Sequence, residues 1–422
     1  MLLELHLKNF KSVSLANVPF GTVNILIGLN GSGKTSLVQS LALLKQSLGG
    51  QNLNLSGSLV NLGSFADVMS RKAPEGDDLE LGVRGSVSLP EWTQGFRIES
   101  LRVTHTVAFS PAQLTRLFTK YQMDDTECVA EWTPLRQKIE PNTLSIGGGQ
   151  FQLGLSLAIG KGLQVGSRLQ TGQVKDVDFA RASMAADLIT QSPSTLLSRT
   201  FFVPALRGSE QPTYPLGDTP SADLTTSAGS FQQAQALATT LAYRRDLEEQ
   251  IAGWMEEVTR RRMRTRLLPQ KLVSLETTGD FGPVKMVNEG FGSNQLSYVL
   301  TQLALLPEDS SLAIEEPEIH LHPAAQASLV NLLVREILKR RNQLILTTHS
   351  EHVLYAVMRL IADGTLSPDT VNVFHVELAE GESRFQRLEI DSSGRSKGGL
   401  PGFFDAQVQE FRRFIEASER RP

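Results

Sequence analysis

The eight residues from position 28 to position 35 constrain this chain more than any other stretch. They read Gly28-Leu29-Asn30-Gly31-Ser32-Gly33-Lys34-Thr35 and match the P-loop pattern G-x-x-x-x-G-K-[ST] at every fixed position. The apolar residues Val23–Ile27 before them predict a buried strand, and the apolar residues after them recur at helical spacing. A glycine loop between a strand and a helix turns backbone N–H groups inward, where the helix N-terminus adds partial positive charge. The stretch therefore predicts a nucleoside triphosphate site.

Two side chains of this loop carry the predicted chemistry. Lys34 is expected to reach the β- and γ-phosphates, and the Thr35 hydroxyl is expected to ligate Mg²⁺. The expected cofactors are ATP and Mg²⁺. The residues expected to line the nucleotide are Asn30, Gly31, Ser32, Gly33, Lys34, Thr35 and Ser36.

The composition is that of an ordinary globular chain, with 40% hydrophobic and 20% charged residues. A net charge of −4 argues against a generally basic nucleic-acid-coating protein, although it leaves room for a local basic patch. Cys128 is the single cysteine, so no intramolecular disulfide can form, as is typical of a reducing compartment. The sequence has no signal-peptide pattern and no apolar run near the ~20 residues of a membrane span. We expect a cytoplasmic protein without membrane contact.

Strands and helices are predicted to alternate in the last part of the chain. The predicted elements there are helices over 295–306, 324–340 and 351–362, and strands over 311–314, 343–347 and 371–376. Such alternation is typical of βαβ units around a mostly parallel sheet. The predicted fold class is α/β, with one P-loop NTPase domain built from residues 1–50 and 286–422.

The middle of the chain shows a different pattern. Segments in residues 51–200 alternate apolar and polar residues with period two, which predicts a β-rich insertion that partly continues the sheet of the ATPase domain. One helical piece is predicted there, near 112–121. Residues 201–285 are predicted to hold a short strand, a long polar loop and a helical arm over 232–266.

The helical arm is predicted to close in a basic cluster. Its members are Arg260, Arg261, Arg262, Arg264 and Arg266. Such a cluster can be a solvated helix end whose cations complement the helix dipole, or a contact for nucleic acid or an acidic partner. The sequence leaves both interpretations open.

A second polar cluster is predicted at the edge of the same sheet. Strand 311–314 is followed by Glu315 and Glu316, here called the acidic pair, and ligands bind at the carboxyl ends of strands in open α/β sheets. We expect Glu315 to hold Mg²⁺ and Glu316 to polarise the attacking water as general base. The alternative is an acidic first helical turn. The next predicted strand leads to His349, which can donate to a γ-phosphate oxygen and sense whether that phosphate is present.

In combination, these segments resemble the ABC-like ATPase heads of the SMC/RecF/OLD group, within the prokaryotic AAA family ATPases. The matching segments are Leu7-Lys8-Asn9-Phe10-Lys11-Ser12, the P-loop, Phe202-Val203-Pro204-Ala205-Leu206-Arg207-Gly208, Asn288-Glu289-Gly290-Phe291-Gly292-Ser293-Asn294-Gln295, Glu315-Glu316-Pro317-Glu318-Ile319-His320-Leu321-His322-Pro323, Thr348-His349-Ser350 and Pro401-Gly402-Phe403-Phe404-Asp405. They lie toward both ends of the chain, and the β-rich insertion has no counterpart among them.

The resemblance implies a homodimer that sandwiches two ATP molecules between protomers. Residues 290–295, the signature loop, would cap the γ-phosphate held by the partner's P-loop through Gly292, Ser293 and Asn294. This loop reads Gly-Phe-Gly-Ser-Asn-Gln where the family pattern is Ser-Gly-Gly-Gln.

The resemblance also bears on the metal carboxylate, on a glutamine sensor and on a nuclease domain. Glu315 stands where many relatives have Asp. A glutamine sensor is implied on the helix after the P-loop, where Gln46 is preferred and Gln39 is the alternative. Nuclease-bearing relatives carry a TOPRIM domain after the histidine strand, with an Asp-x-Asp pair that is missing after His349, so we expect the stand-alone type. The pair His320 and His322 lacks further ligands and is not favoured as a metal site.

The leading functional hypothesis is an ATPase whose nucleotide-driven dimerisation gates DNA or an effector partner, such as a nuclease or toxin encoded nearby, in a setting such as anti-phage defence. An alternative is a DNA repair or recombination factor that binds duplex DNA directly through the basic cluster. A further alternative is a scaffold whose partner carries the nuclease.

Overall fold

The computed structural model describes residues 1–48, 52–90, 93, 100–111, 113–124, 126–140, 143–146, 151–158, 164–171, 176–224, 230–279, 282–397, 412–413 and 415–416. The segment Pro401-Gly402-Phe403-Phe404-Asp405, which contributed to the family resemblance, lies outside them.

Strands and helices both occur throughout the described residues. The strands are β1 (Leu2–Phe10), β2 (Val13–Pro19), β3 (Val23–Ile27), β4 (Leu79–Val87), β5 (Leu101–Phe109), β6 (Leu114–Met123), β7 (Thr126–Thr133), β8 (Arg136–Glu140), β9 (Thr143–Ile146), β10 (Phe151–Ala158), β11 (Gln164–Thr171), β12 (Thr200–Val203), β13 (Tyr214–Pro215), β14 (Arg262–Leu268), β15 (Leu272–Gly279), β16 (Gly282–Lys285), β17 (Ser311–Glu315), β18 (Gln343–Thr348), β19 (Val371–Ala379) and β20 (Glu382–Leu388). The helices are α1 (Lys34–Ser47), α2 (Phe65–Val68), α3 (Asp176–Thr190), α4 (Ser192–Ser198), α5 (Ser230–Tyr243), α6 (Arg245–Thr259), α7 (Phe291–Leu305), α8 (Pro323–Lys339) and α9 (Glu351–Ala362).

A mostly parallel sheet joins the two ends of the chain. Its strand order is β12-β17-β18-β3-β19-β20, and every neighbouring pair is parallel except β19 and β20. The P-loop strand β3 lies between two strands from the C-terminal part, with Leu346 opposite Ile25 on one side and Val373 opposite it on the other. The predicted α/β fold with a mostly parallel sheet is confirmed, and this sheet contains strands from both ends of the chain together with β12.

The side chains of β3 show how this sheet separates two hydrophobic cores. Ile25 and Ile27 pack into a core with α7, α8 and α9, while Leu26 points to the opposite face and packs with α1. All five residues of β3 are buried, as expected for a parallel strand covered on both faces. The P-loop therefore follows a strand that is enclosed on both faces.

A second sheet is antiparallel and begins with the first residues of the chain. Its order is β2-β1-β4-β5-β6-β7-β8, so β4 to β8 extend the sheet that β1 and β2 begin. Leu5 and Leu7 of β1 share a core with Leu37 and Leu41 of α1. The helix that follows the P-loop is thereby packed by both sheets. A smaller antiparallel sheet has the order β11-β10-β9.

The predicted helix near 112–121 is wrong, because the chain from Leu114 onward forms strand β6. Apolar residues at 114, 117, 118 and 121 fit a helical period, but Leu117, Thr119 and Tyr121 are buried with period two. Pairing with β5 and β7 on both sides settles the segment as a strand. Its aromatic and β-branched residues suit that environment.

The predicted helical arm is also wrong at its end, so the basic cluster is not a helix terminus. Helix α6 ends at Thr259, Arg260 takes a left-handed conformation with φ 64°, and β14 follows. In β14, Met263 and Thr265 are buried, whereas Arg264 and Arg266 are exposed and Arg262 is half-buried. Period two, rather than 3.6, is the correct reading there.

The arginines that follow Arg260 have carboxylate partners. These pairs are Arg261 with Glu289, Arg262 with Glu249 and Glu256, Arg264 with Glu276, and Arg266 with Glu276. The positive charge of this surface is therefore largely matched by neighbouring glutamates.

Among the described helices, none is long and apolar enough to cross a membrane.

Candidate active site

The P-loop is closed tightly against the strands beside it. A Cβ on Gly28 would lie 2.1 Å from the carbonyl oxygen of Val376, so the chain has no space for a side chain there. Gly33 caps α1 with φ 107°, and a Cβ there would lie 2.2 Å from Ser383 Oγ. Ser383 of β20 donates to the Ser32 carbonyl at 2.7 Å. Glycine is required at both positions, for close approach and for backbone conformation respectively.

Lys34 lies inside this loop and is only 4% exposed. Its ammonium donates to the carbonyl oxygens of Gly28 at 2.9 Å and Leu29 at 2.8 Å, and lies 3.3 Å from His349 Nδ1. Burial lowers the pKa of Lys34 to about 8, and the carboxylates of Glu316 and Glu318 oppose that shift. A phosphate would add the negative charge that such a buried ammonium lacks.

The other predicted nucleotide residues surround the start of α1. Thr35 is half-buried, Ser36 is buried, and Asn30 and Gly31 are exposed. Ser32 Oγ is buried and has no hydrogen-bond partner within the described part of the chain. An unpaired buried hydroxyl is costly unless something else accepts its proton, so a phosphate oxygen fits this position.

Glu315 is the last residue of β17 and Glu316 follows it, and β18 separates this strand from the P-loop strand β3. Glu315 is 9% exposed, and burial, with a contribution from Glu316, raises its pKa to about 7 against the opposing effects of the Ala205 N–H, Arg207 and Lys11. A buried carboxylate with a raised pKa suits a bound cation, since a cation stabilises the ionised form. The residues that fit Mg²⁺ are Glu315 and the Thr35 hydroxyl. No group of three or more His, Cys, Asp or Glu side chains that could hold a metal occurs among the described residues, and Mg²⁺ usually takes one or two carboxylates with waters and phosphates.

His349 links the acidic pair to the P-loop. Its Nε2 lies 2.9 Å from Glu316 Oε1, and its Nδ1 lies 2.8 Å from the Gly28 carbonyl oxygen. The sheet order explains this meeting, because β17, β18 and β3 are adjacent parallel strands whose carboxyl ends share one edge. Glu316 takes φ 46° there, and its N–H donates to the Thr347 carbonyl at 2.9 Å.

Glu318 forms hydrogen bonds with His349 and with the residue before it. One of its carboxylate oxygens accepts from Thr348 Oγ1 and from the His349 backbone N–H at 3.0 Å. Burial raises the pKa of Glu318, and these hydrogen bonds oppose the shift. The three catalytic residues predicted from the sequence, Lys34, Glu316 and His349, are therefore brought together, and Glu318 is an additional part of their surroundings.

The signature loop lies apart from the P-loop, at the start of α7. Gly292 is buried against the His320 carbonyl, where a Cβ would lie 2.6 Å away, and Ser293 is half-buried. Both line an open cavity of about 420 Å³ that His320 and His322 also line. Asn294 differs from the expectation that it offers donors to a phosphate: its amide is turned inward and pairs with the backbone N–H and C=O of Ser209 at 2.7 and 3.0 Å.

Gln46, the preferred sensor, does not join the site. Its side chain bonds the backbone of Val60 and Asn54 and so holds the segment after α1. Gln39 instead accepts from Lys11 Nζ and lines a cavity of about 220 Å³ together with Glu315. Gln39 is therefore the glutamine of α1 that faces the acidic pair.

Two residues contact the site although the sequence did not predict them as site residues. Arg207 is 7% exposed and donates to the backbone carbonyls of both Glu315 and Glu316, at 2.8 and 3.0 Å. Ser383 joins the P-loop to the β1–β2 turn through Ser12 Oγ at 2.6 Å. Arg207 belongs to a segment that carried the family resemblance, whereas nothing in the sequence marked Ser383.

Two protein-family models match parts of this chain. A family model described as "AAA ATPase domain" matches residues 1–180, and one described as "AAA domain, putative AbiEii toxin, Type IV TA system" matches residues 205–354. No curated protein matches the sequence significantly.

Similar solved structures include three SMC heads. An SMC head bound to the C-terminal winged-helix domain of ScpA is 14% identical, with a TM-score of 0.45 over 93% of this chain and 98% of that chain. The SMC head of Thermotoga maritima is 12% identical, with a TM-score of 0.42 over 92% of this chain and 99% of that chain. A head with an extended coiled coil, bound to the C-terminal domain of ScpA derived from Pyrococcus furiosus, is 12% identical, with a TM-score of 0.44 over 99% of both chains.

Proposed function

We propose that this chain is an AAA-type ATPase, because two family models described as AAA domains together match more than three quarters of it. It binds and hydrolyses ATP, and nucleotide-driven dimerisation of the head gates an effector partner. The observation that carries the catalytic part is the continuous set of contacts from Glu316 through His349 to the P-loop carbonyl of Gly28 and to Lys34.

Each residue has a role that follows from its position. Lys34, already inside the loop, binds the β- and γ-phosphates of ATP. Glu316 orients the attacking water and accepts its proton, because it directly follows β17 at the ligand-binding edge of the sheet. His349 holds the Glu316 carboxylate and senses the γ-phosphate. Mg²⁺, held by Thr35 and Glu315, supplies neutralisation of the phosphate charge when bound.

The substitution Glu316→Gln tests the catalytic assignment. Glutamine keeps a side-chain oxygen for His349 but cannot accept the proton of water, so we expect kcat to fall on the order of 10²- to 10⁴-fold with ATP affinity nearly unchanged. Glu308→Gln is the control, since Glu308 is exposed and its carboxylate pairs only with the surface residue Arg341 among the described contacts. Turnover at the wild-type rate in Glu316→Gln contradicts the assignment, as does unchanged nucleotide affinity in Lys34→Ala.

Dimerisation is proposed because Gly292 and Ser293 lie on the cavity at the start of α7, which none of the P-loop residues lines. The signature loop would therefore serve the nucleotide of a second copy. Light scattering of Glu316→Gln should show a doubled mass with ATP and not with ADP. Ser293→Glu, which puts negative charge where phosphate would approach, should abolish the doubling. A mass that stays monomeric with ATP, or a Ser293→Glu variant that still doubles, refutes the proposal.

An effector protein is favoured over duplex DNA as the gated partner. The arginines expected to contact DNA are paired with glutamates, as described above, so they offer little uncompensated charge for phosphates. The description of one matching family model includes a putative toxin of a type IV toxin–antitoxin system, which is in line with a partnered, anti-phage setting. Strongly salt-dependent DNA binding that weakens in Arg264→Gln would reverse this preference.

A further inference from the structure

Arg207 makes an unusual set of contacts for a buried cation. Its guanidinium donates four hydrogen bonds, and each acceptor is a backbone carbonyl: Nη1 to Pro204 at 2.7 Å and to Glu315 at 2.8 Å, Nη2 to Glu316 at 3.0 Å, and Nε to Gln295 at 3.3 Å. These carbonyls belong to three separate segments, namely the end of β12, the first turns of α7 and the end of β17.

We infer that Arg207 is the positioning residue that fixes the acidic pair to the signature helix α7, so that the two move as one body. This inference rests on the proposed function for its catalytic consequence. The guanidinium bonds the main chain at the acidic pair itself, and Gln295 ends the signature loop. A shift of α7 is therefore transmitted to the carboxylates through one side chain.

The residues after Arg207 strengthen the attachment to α7. Asn294 pairs with both backbone groups of Ser209, and Tyr298 Oη donates to the Gly208 carbonyl at 3.3 Å. Segment 207–209 is thus bonded to the first two turns of α7 through Asn294, Gln295 and Tyr298. On the other side, the Glu316 side chain contacts His349, which contacts the P-loop. The contacts run without interruption from the signature loop to the P-loop.

The shape of the guanidinium is what this position needs. Its N–H groups diverge in one plane and reach carbonyls in different directions, whereas a lysine ammonium is a compact point charge. Arg207→Lys keeps the charge beside the three glutamates of segment 315–318 and loses the fork. The variant therefore separates positioning from electrostatics.

Arg340, which directly follows α8, provides a matched control because it is bonded to the other end of α7. Its Nη1 donates to the carbonyls of Leu303, Ala304 and Leu306, and none of its described hydrogen bonds reaches the acidic pair. Arg340→Lys removes a comparable arginine–carbonyl anchor from α7 without touching the site.

The kinetic test compares these two variants with the wild type and with Glu316→Gln. We expect Arg207→Lys to lower kcat on the order of 10²-fold, the effect of misplacing a catalytic group by about 1 Å, with KM for ATP changed less than about threefold. Arg340→Lys should keep kcat within about twofold. In the double variant Arg207→Lys/Glu316→Gln, kcat should equal that of Glu316→Gln alone, because a misplaced carboxylate and a missing one cannot both cost the full amount.

Hydrogen exchange tests the attachment independently of turnover. The amides of Glu316, bonded to Thr347, and of Asn294, bonded to Gly290, should exchange faster together in Arg207→Lys and remain at the wild-type rate in Arg340→Lys. If the wild type hydrolyses no ATP, the proposed function falls, and this measurement still decides the attachment.

Several results would overturn the inference: wild-type kcat in Arg207→Lys, an equal loss in Arg340→Lys, multiplicative losses in the double variant, or faster exchange at only one of the two amides. If Arg207→Lys does not fold, Tyr298→Phe removes the neighbouring bond to Gly208 and should lower kcat by a smaller factor at unchanged KM. Wild-type kcat in Tyr298→Phe would then count against it.

Discussion

The contact between Gly33 and Ser383 makes a sharp prediction about the P-loop. Gly33→Ala forces a side chain into a left-handed conformation of φ 107° and against Ser383, whose Oγ and Cβ would lie 2.2 and 2.8 Å from the new carbon. Gly31→Ala is the matched comparison: Gly31 also has a positive φ, of 77°, but a Cβ there meets nothing within 4 Å. The two variants therefore share backbone strain and differ in the steric contact.

The magnitudes follow from this difference. A non-glycine residue held in an unfavourable backbone region costs about 1–3 kcal/mol, and this applies to both variants. Rotating Ser383 Oγ away from Gly33→Ala would break its bonds to Ser32 and Ser12, each worth about 0.5–1.5 kcal/mol, and would still leave its Cβ too close. We expect Gly33→Ala to cost roughly 2–3 kcal/mol more than Gly31→Ala, allowing for both broken bonds.

Two assays divide this cost. Urea unfolding measures the part of the cost that lowers the free energy of unfolding of the whole protein. The Kd for a fluorescent ATP analogue measures the part that is relieved by distorting the P-loop and so appears as weaker binding. If the loop takes all of the difference, the Kd of Gly33→Ala exceeds that of Gly31→Ala on the order of 10²-fold. Ser383→Gly should recover much of the loss when combined with Gly33→Ala. Equal losses in the two alanine variants, or no recovery in the combination, would refute the reasoning.

Two further predictions concern the core and helix α1. Burial lowers the pKa of His105 to about 4, below the ordinary value of 6.5, so at intermediate pH the unfolded chain binds a proton that the folded chain does not. The free energy of unfolding should therefore fall by about 3 kcal/mol as pH drops from about 6.5 to 4. Urea unfolding of His105→Gln should show a correspondingly flatter pH profile, and an unchanged profile would be contrary evidence. Gln46→Ala should lower the free energy of unfolding by about 1–3 kcal/mol without changing ATP turnover. Gln39→Ala removes the hydrogen bond to Lys11 near Glu315 and should lower kcat. The reverse pattern in steady-state kinetics would restore Gln46 as the sensor.

The parts of the fold that the sequence predicted well are those where local pattern and tertiary role agree. Strand β3 and helix α9 have the predicted bounds, because a short apolar run before a glycine loop and a strongly amphipathic segment each allow one interpretation. The failures are segments whose apolar residues fit two periods. Segment 112–121 and β14 both become strands because neighbouring strands pair with them, and that pairing is not encoded within either segment.

The site divides along a similar line. Lys34, Glu316 and His349 could be predicted to converge, because each follows a strand of one parallel sheet and the strand ends share an edge. The direction of a side chain within a helix could not be predicted so. Gln39 and Gln46 both lie on α1, but one faces Lys11 and the other faces the segment around Val60. Seven positions on a helix is nearly two full turns, so spacing alone gives them almost the same face.

The role of Arg207 could not be predicted from the sequence. Its acceptors at Glu315 and Gln295 are main-chain oxygens, which carry no signal in the sequence, and they lie 108 and 88 residues away. The buried Arg207 guanidinium, which follows β12, donates to the carbonyls of both Glu315 and Glu316, and the Glu316 carbonyl also accepts from the Ile319 N–H at 3.3 Å. We infer that the catalytic carboxylates can be held in the sheet only together with the helix that carries the signature loop.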